Sequence, residues 1–126
     1  MYSSALASSP SSALLVLLTL LASAAHAAIH TGLFVIDNNG GVVNIAWLKG
    51  ENPCLNNAVL GAAGEDPCKK VFAVSGLQGL KLEDCGKNPM TLTANGGKVA
   101  DCKPASWSTR CDVGDKKGQL SLTFEC

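Results

Sequence analysis

The sequence is poor in the side chains that most enzymes use for catalysis. Its 126 residues include two histidines, one tyrosine and two tryptophans. Serine and cysteine nucleophiles need a base within hydrogen-bond reach, and that base is usually histidine. Glycosidase acids need a substrate cleft, which Trp or Tyr side chains commonly line. We therefore predict that the protein is not an enzyme and uses no cofactor.

An excess of charge of either sign is also missing. Lys and Arg number 10, Asp and Glu number 10, and the formal net charge is zero. Proteins that hold nucleic acid or an anionic membrane present a strongly basic surface. Neither nucleic acid nor membrane is therefore expected as a partner. The adjacent carboxylates at 65–66 and 83–84 lie beside Pro or in a polar stretch and are interpreted as solvated turns.

Metal-binding patterns are absent from the sequence as well. No two cysteines are closer than nine positions, and no Cys-x-x-Cys or Cys-x-x-His pair occurs. Structural zinc sites are built from such close pairs. The run from Asp37 to Gly40 has the polar residues of a calcium loop, but the bidentate Glu that an EF-hand needs later is missing. We predict no metal site, and a hairpin turn at 37–40.

The longest apolar run lies near the N-terminus, from Ala13 to Leu18, and continues into small residues. It is shorter than the about 20 apolar residues of a membrane-spanning helix. Ala25-His26-Ala27 has the small-x-small pattern that signal peptidase cleaves, although no Lys or Arg precedes the run. We predict a signal peptide over residues 1–27 and a single secreted domain over residues 28–126, with no membrane contact after cleavage.

All cysteines of the chain lie in the predicted mature domain. They are Cys54, Cys68, Cys85, Cys102, Cys111 and Cys126. Because secretory compartments oxidise thiols, an even number in a short exported domain predicts three disulfides. We expect a bridge between Cys54 and Cys68, since closing a loop of this length is worth about 3 kcal/mol in the chain-entropy description. Cys126 should fix the last strand to an earlier one, and the remaining pairings stay open.

The mature sequence has short β-prone runs between turn residues, without a sustained helical period. Three hairpins are expected, around Asn38–Gly41, Gly76–Gly79 and Asn95–Gly97. Residues 119–126 alternate apolar and polar side chains, as a half-buried strand does, and follow a polar turn at 114–118. We predict an all-β fold, a small disulfide-stapled β-sandwich or barrel of about six to eight short strands.

The segment Glu51–Pro67, with Pro at both ends and several Asn and Gly, is expected to be a surface loop or a short helical turn.

Two tryptophans are the side chains best suited to anchor a partner, because a rigid ring buries much area at little entropic cost. Trp47 lies on an alternating strand, on the same face as Val43 and Ile45, and is expected in the core. Trp107 lies in a polar stretch between two cysteines, where we expect an exposed loop. Together with Arg110 it is our candidate partner-binding patch. His30 is interpreted as a solvated histidine near the mature N-terminus.

The general plan of the chain resembles that of the small secreted cysteine-rich effector proteins of plant-associated fungi. The resemblance rests on the leader and the six dispersed cysteines, and it covers the whole chain. It implies action in the apoplast or inside the host by binding host proteins, without catalysis. We further expect a monomer whose partner is a host or extracellular protein.

Two other classes share this plan. An antimicrobial or killer-toxin-like defence protein is the first, but such proteins are usually cationic because microbial surfaces are anionic. A secreted protease inhibitor is the second, and Glu51–Cys68 is then the candidate inhibitory loop.

Overall fold

The computed structural model describes residues 28–114 and 116–126, so the predicted leader lies outside the described residues. These residues form nine β-strands and one short 3-10 turn at Pro67–Lys69. The all-β prediction is confirmed, with more strands than expected. The strands are β1 Ile29–Ile36, β2 Gly41–Leu48, β3 Ala58–Ala62, β4 Val71–Val74, β5 Leu77–Glu83, β6 Thr91–Ala94, β7 Gly97–Asp101, β8 Lys103–Val113 and β9 Lys116–Glu125.

The strands form two antiparallel sheets. One has five strands in the order β3-β2-β1-β9-β8, and the other has four in the order β4-β5-β6-β7. Each sheet has two open edges, so the fold is a small β-sandwich and the barrel alternative is wrong.

The hairpin turns explain much of this order, because their residues adopt the backbone angles that tight turns need. Asn38 and Asn39 have φ of 58° and 64°, and Asn95 has φ of 51°, which side chains other than Asn, Asp or Gly rarely adopt. The β4–β5 hairpin turns at Ser75-Gly76, so the turn ends three residues before its predicted end at Gly79, because β5 already begins at Leu77.

The main core lies between the two sheets. Burying each of its large apolar side chains contributes about 1.5 to 3 kcal/mol relative to exposure. The inner face of the five-stranded sheet supplies part of this core, and the four-stranded sheet with its connecting segments supplies the rest. Its buried members are Ile29, Ala46, Leu60, Phe72, Val74, Leu80, Leu82, Met90, Leu92 and Cys102.

A second apolar cluster lies on the opposite, outer face of the five-stranded sheet. Successive residues of β2 point to opposite faces of the sheet: Ala46 belongs to the main core, and Ile45 and Trp47 belong to the outer cluster. This is the two-residue alternation of a strand. Cys111 of β8 and Leu120 of β9 complete the buried part of the outer cluster. The prediction of Trp47 as a core residue is confirmed.

A segment that we call the strap, residues Glu51–Asn57, follows β2 on the outer face. The amides of Leu55 and Asn56 donate to the Asn52 carbonyl at 3.1 and 2.9 Å, which makes one helical turn. The Asn52 side chain accepts from the Cys54 amide at 3.0 Å. A disulfide from Cys54 to Cys111 fastens the strap to β8.

Three disulfides are present, as predicted, and such bonds are typical of extracellular proteins. They join Cys54 to Cys111, Cys68 to Cys85 and Cys102 to Cys126. The expected Cys54–Cys68 bridge is wrong, because Cys54 packs on the outer cluster while Cys68 packs on the main core. The expectation that Cys126 ties the last strand to an earlier part of the chain is confirmed.

Two segments predicted as loops contain strands. Residues 51–67 include β3, which pairs with β2 at the sheet edge. Residues 104–110, predicted as a polar loop, belong to β8. The predicted turn at 114–118 is also shorter, since β9 begins at Lys116. In each case pairing with a neighbouring strand satisfies backbone groups that the local sequence alone would leave to water.

Candidate functional site: the Trp107 cleft

An open cleft lies on the outer face between the strap and β8, and we call it the Trp107 cleft. Its cavity volume is about 370 Å³. A volume of this size falls in the range of ligand pockets, roughly 300 to 1,000 Å³. The lining residues come from β1, β2, the strap region, β8 and β9. They are His30, Trp47, Gly50, Glu51, Pro53, Trp107 and Leu122.

The strand β8 places Trp107 at one side of this cleft. Trp107 pairs in register with Leu122 of β9, directly after an irregularity that begins at Pro104. Bulges of this kind re-aim side chains at sheet edges. The Trp107 residue is 49% exposed, whereas Trp47 in the cleft floor is only 2% exposed. The exposure predicted for Trp107 is confirmed, although a strand and not a loop presents it.

His30 forms part of the cleft, so its interpretation as a solvated terminal residue is wrong. Its Nε2 lies 2.8 Å from Oε1 of Glu125, and its side chain is 13% exposed. The imidazole meets the Trp47 indole edge-on, with ring centroids 5.5 Å apart. Strand pairing explains both contacts of His30, because β1 places it opposite Trp47 of β2 and Glu125 of β9.

Glu125 accepts from two cationic or potentially cationic groups. Besides His30, the Lys49 Nζ lies 3.3 Å from the same Oε1. The hydrogen bond from His30, and then that from Lys49, lower the pKa of Glu125 below its ordinary value of 4.5. The ionised carboxylate therefore links β1, β9 and the end of β2 beside the cleft.

We expect Glu125→Gln to remove a pH-dependent part of the stability. Because the folded-state pKa is lowered, ionised Glu125 stabilises the fold above its ordinary pKa of 4.5, and this contribution is lost as pH falls through the folded pKa. Urea unfolding at several pH values should show wild type more stable than E125Q near neutral pH and the difference closing below pH 4.5. Glu83→Gln, which removes another partly exposed carboxylate, is the matched control. A difference that stays constant with pH would contradict this role of Glu125.

Arg110, the second residue of the predicted patch, does not share a face with Trp107. It lies three positions further along β8, in regular register opposite Gln119, and strand alternation puts it on the other face. Its Nη1 donates to Asp37 Oδ1 at 3.0 Å, and its Nη2 donates to the other Asp37 oxygen. Asp37 raises the pKa of Arg110, with a smaller contribution from Asp112. Arg110 thus ties β8 to the β1–β2 turn.

One group of potential metal ligands occurs where Asp66, Cys68 and Cys85 converge. The two sulfurs are joined in a disulfide and are not thiolates. Asp66 Oδ1 accepts from the Cys68 amide at 2.9 Å, so its carboxylate caps the 3-10 turn. These residues therefore form a disulfide beside a 3-10 turn that Asp66 caps.

Gly50 and Leu122 were not predicted as site residues, and Glu51 and Pro53 were considered only as part of the candidate inhibitory loop. A signal did exist for the His30–Trp47 contact, because the predicted β1–β2 hairpin brings these two positions opposite each other. The contribution of the strap depends on the Cys54–Cys111 bridge, which no local pattern indicates.

Comparisons with protein-family models, curated proteins and solved structures found no match to this chain. Within residues 28–114 and 116–126, no helix is long and apolar enough to span a membrane.

Proposed function

We propose that this chain is a secreted, non-catalytic interaction protein of effector type, which acts on a host extracellular protein through the Trp107 cleft. The observation that carries the proposal is the half-exposed Trp107 indole beside an open cleft that is lined by the buried Trp47. Tryptophan is the side chain most enriched among residues that dominate binding energy at protein interfaces.

The surroundings of Trp107 support a preformed binding surface. Its strand is hydrogen-bonded to β9 on one side, and Cys111 of the same strand holds the strap through a disulfide. The floor is closed by Trp47, which the His30 ring contacts. A surface that is already ordered loses less conformational entropy on binding, and more of the contact energy then appears as affinity.

The polar groups of the cleft would add selectivity to this apolar anchor. Glu51 lies at the strap, and its carboxylate accepts from Asn56 at 3.2 Å. Lys49 and Glu125 form an exposed ion pair nearby. This arrangement, an aromatic anchor with charged groups at its margin, is the usual anatomy of a protein interface.

A protease-inhibitor function has less support from the predicted inhibitory loop, Glu51–Cys68. Inhibitory loops that imitate a substrate are extended and free of pairing. Here the first part is the helical turn of the strap, and Ala58–Ala62 is hydrogen-bonded within the sheet as β3. The equal numbers of basic and acidic residues give no support to a cationic antimicrobial surface.

The test is quantitative binding of the oxidised protein, residues 28–126, to proteins of candidate host extracellular fluid. We expect saturable binding of one captured protein that Trp107→Ala weakens by about thirtyfold or more, the scale of an interface hot spot. Val113→Ala, an exposed apolar position on the same strand, is the matched control and should bind like wild type. Arg110→Ala should also retain binding, because Arg110 lies on the other face.

Equal binding by wild type and Trp107→Ala would overturn the cleft as the interaction surface. Binding to microbial cells with growth inhibition, in place of a host protein, would support the antimicrobial alternative. Turnover of a substrate in a hydrolase panel would contradict the non-catalytic assignment. Export with a mature N-terminus at Ala28, measured by terminal sequencing, would test secretion and the predicted cleavage site.

A further inference from the structure

A second cavity lies on the outer face, on the other side of the strap from the Trp107 cleft. Its volume is about 140 Å³, and we call it the strap cavity. Phe34 and Ile36 of β1 and Val43 and Ile45 of β2 line it. The Cys54–Cys111 disulfide, which fastens the strap, also borders this cavity.

The lining is predominantly apolar. Asn57 contributes the one amide side chain of the described lining, and its Nδ2 donates to the Pro53 carbonyl within the strap at 2.7 Å. An apolar occupant that covers these walls removes their surface from contact with water, which is favourable. The cavity therefore favours an apolar occupant over water.

The size of the cavity limits that occupant to one compact group. Apolar cavities of about 150 Å³ hold a single benzene molecule. A cavity of about 140 Å³ is thus wide enough for one six-membered ring or a branched alkyl group of similar volume. It is too small for the drug-sized ligands that fill pockets of about 300 Å³ or more.

Access to the cavity is open at the edge of the sheet. Val59 of the edge strand β3 lines the cavity and is 57% exposed. The Cys54–Cys111 disulfide holds the strap to the sheet beside this cavity. The cavity is therefore preformed and reachable from solvent past Val59.

We propose that the strap cavity is a binding site for one small molecule with a single six-membered aromatic ring. The proposal concerns a different cavity from the Trp107 cleft and does not rest on the proposed function. Transfer of six apolar carbons out of water gives an expected dissociation constant of roughly 1 mM.

Benzene is the probe, titrated into oxidised protein with ¹³C-labelled methyl groups. We expect saturable shifts at the methyl groups of Ile36, Val43 and Ile45, with no change at Leu82 and Leu92 of the main core. Val59→Phe places a ring at the mouth of the cavity and should weaken benzene binding by about tenfold. Val71→Phe, at an exposed valine of another edge strand outside the cavity, is the matched control and should leave binding unchanged.

Absence of saturable shifts in the wild-type protein would overturn the proposal. Shifts that spread equally to Leu82 and Leu92 would also overturn it, because they would show general partitioning into the protein. Thermal melting of both Phe variants establishes that they fold. Since the wild-type map needs no variant, the proposal stays testable even if Val59→Phe does not fold.

Discussion

Replacing Cys54 and Cys111 together by alanine should lower the free energy of unfolding by about 4 kcal/mol, because this bridge closes the longest loop. Its cysteines are 57 positions apart, against 17 and 24 for the other two bridges. The loss should also free the strap, whose helical turn is otherwise held to β8 at one point. Urea unfolding measures the first effect, and hydrogen exchange at the amides of Leu55 and Asn56 measures the second.

The matched control is replacement of Cys68 and Cys85 by alanine. That bridge closes the shortest loop, and its removal should cost about 3 kcal/mol in the same description. It should leave exchange in the strap unchanged, because Cys68 packs on the main core. An equal rise of strap exchange in both variants would contradict the assignment of the strap to the Cys54–Cys111 bridge.

Replacing Trp47 by alanine should lower the free energy of unfolding by about 3 to 5 kcal/mol, the range for truncating a large buried aromatic side chain. Trp47 is 2% exposed and is the largest side chain of the outer cluster. The loss combines the removed apolar area with a cavity that the disulfide-held strap cannot easily fill. Urea unfolding followed by far-ultraviolet circular dichroism gives the measurement without relying on tryptophan fluorescence.

Trp107→Ala is the matched control, because it makes the same Trp-to-Ala replacement at a half-exposed position. It should change the free energy of unfolding by about 0.5 kcal/mol or less, as is usual for surface substitutions. The two tryptophans thus separate stability from binding, since Trp47 supports the floor and Trp107 is the proposed contact. Similar destabilisation by both substitutions would show that Trp107 is also a packing residue and would weaken its proposed role.

The parts of the fold that could be predicted are those that local chemistry determines. Asn38, Asn39 and Asn95 mark hairpins because few other residues accept positive φ. The last strand was recognisable from Leu120 and Leu122, which alternate with polar residues along β9. These signals depend only on neighbours in the sequence, so they need no knowledge of the tertiary arrangement.

The missed strands depend on partners that are distant in the sequence. β8 contains Pro104 and a run of small polar residues around Trp107, which locally resemble a loop. It becomes a strand because β9 offers a long antiparallel partner. β3 is short, contains Gly61 with φ of 109°, and gains its hydrogen bonds from β2. Propensity was overridden in both cases by tertiary pairing.

The candidate site was predicted only in part for the same reason. The exposure of Trp107 followed from its polar neighbours, and the burial of Trp47 followed from alternation. The grouping of Arg110 with Trp107 was wrong because the segment is a strand, in which residues three apart face opposite sides. The cleft itself needs the strap, and the strap needs a disulfide between cysteines 57 positions apart.

The overlap of the three disulfides has a consequence for proteolysis. The Cys54–Cys111 ring and the Cys102–Cys126 ring overlap, so every peptide bond from Cys54 to Cys126 lies inside at least one covalent ring. A protease that cuts once at an exposed turn in this region releases no fragment while the bridges stay oxidised. Such a nick becomes visible only after reduction, and the nicked molecule keeps the strap, β8 and β9 joined.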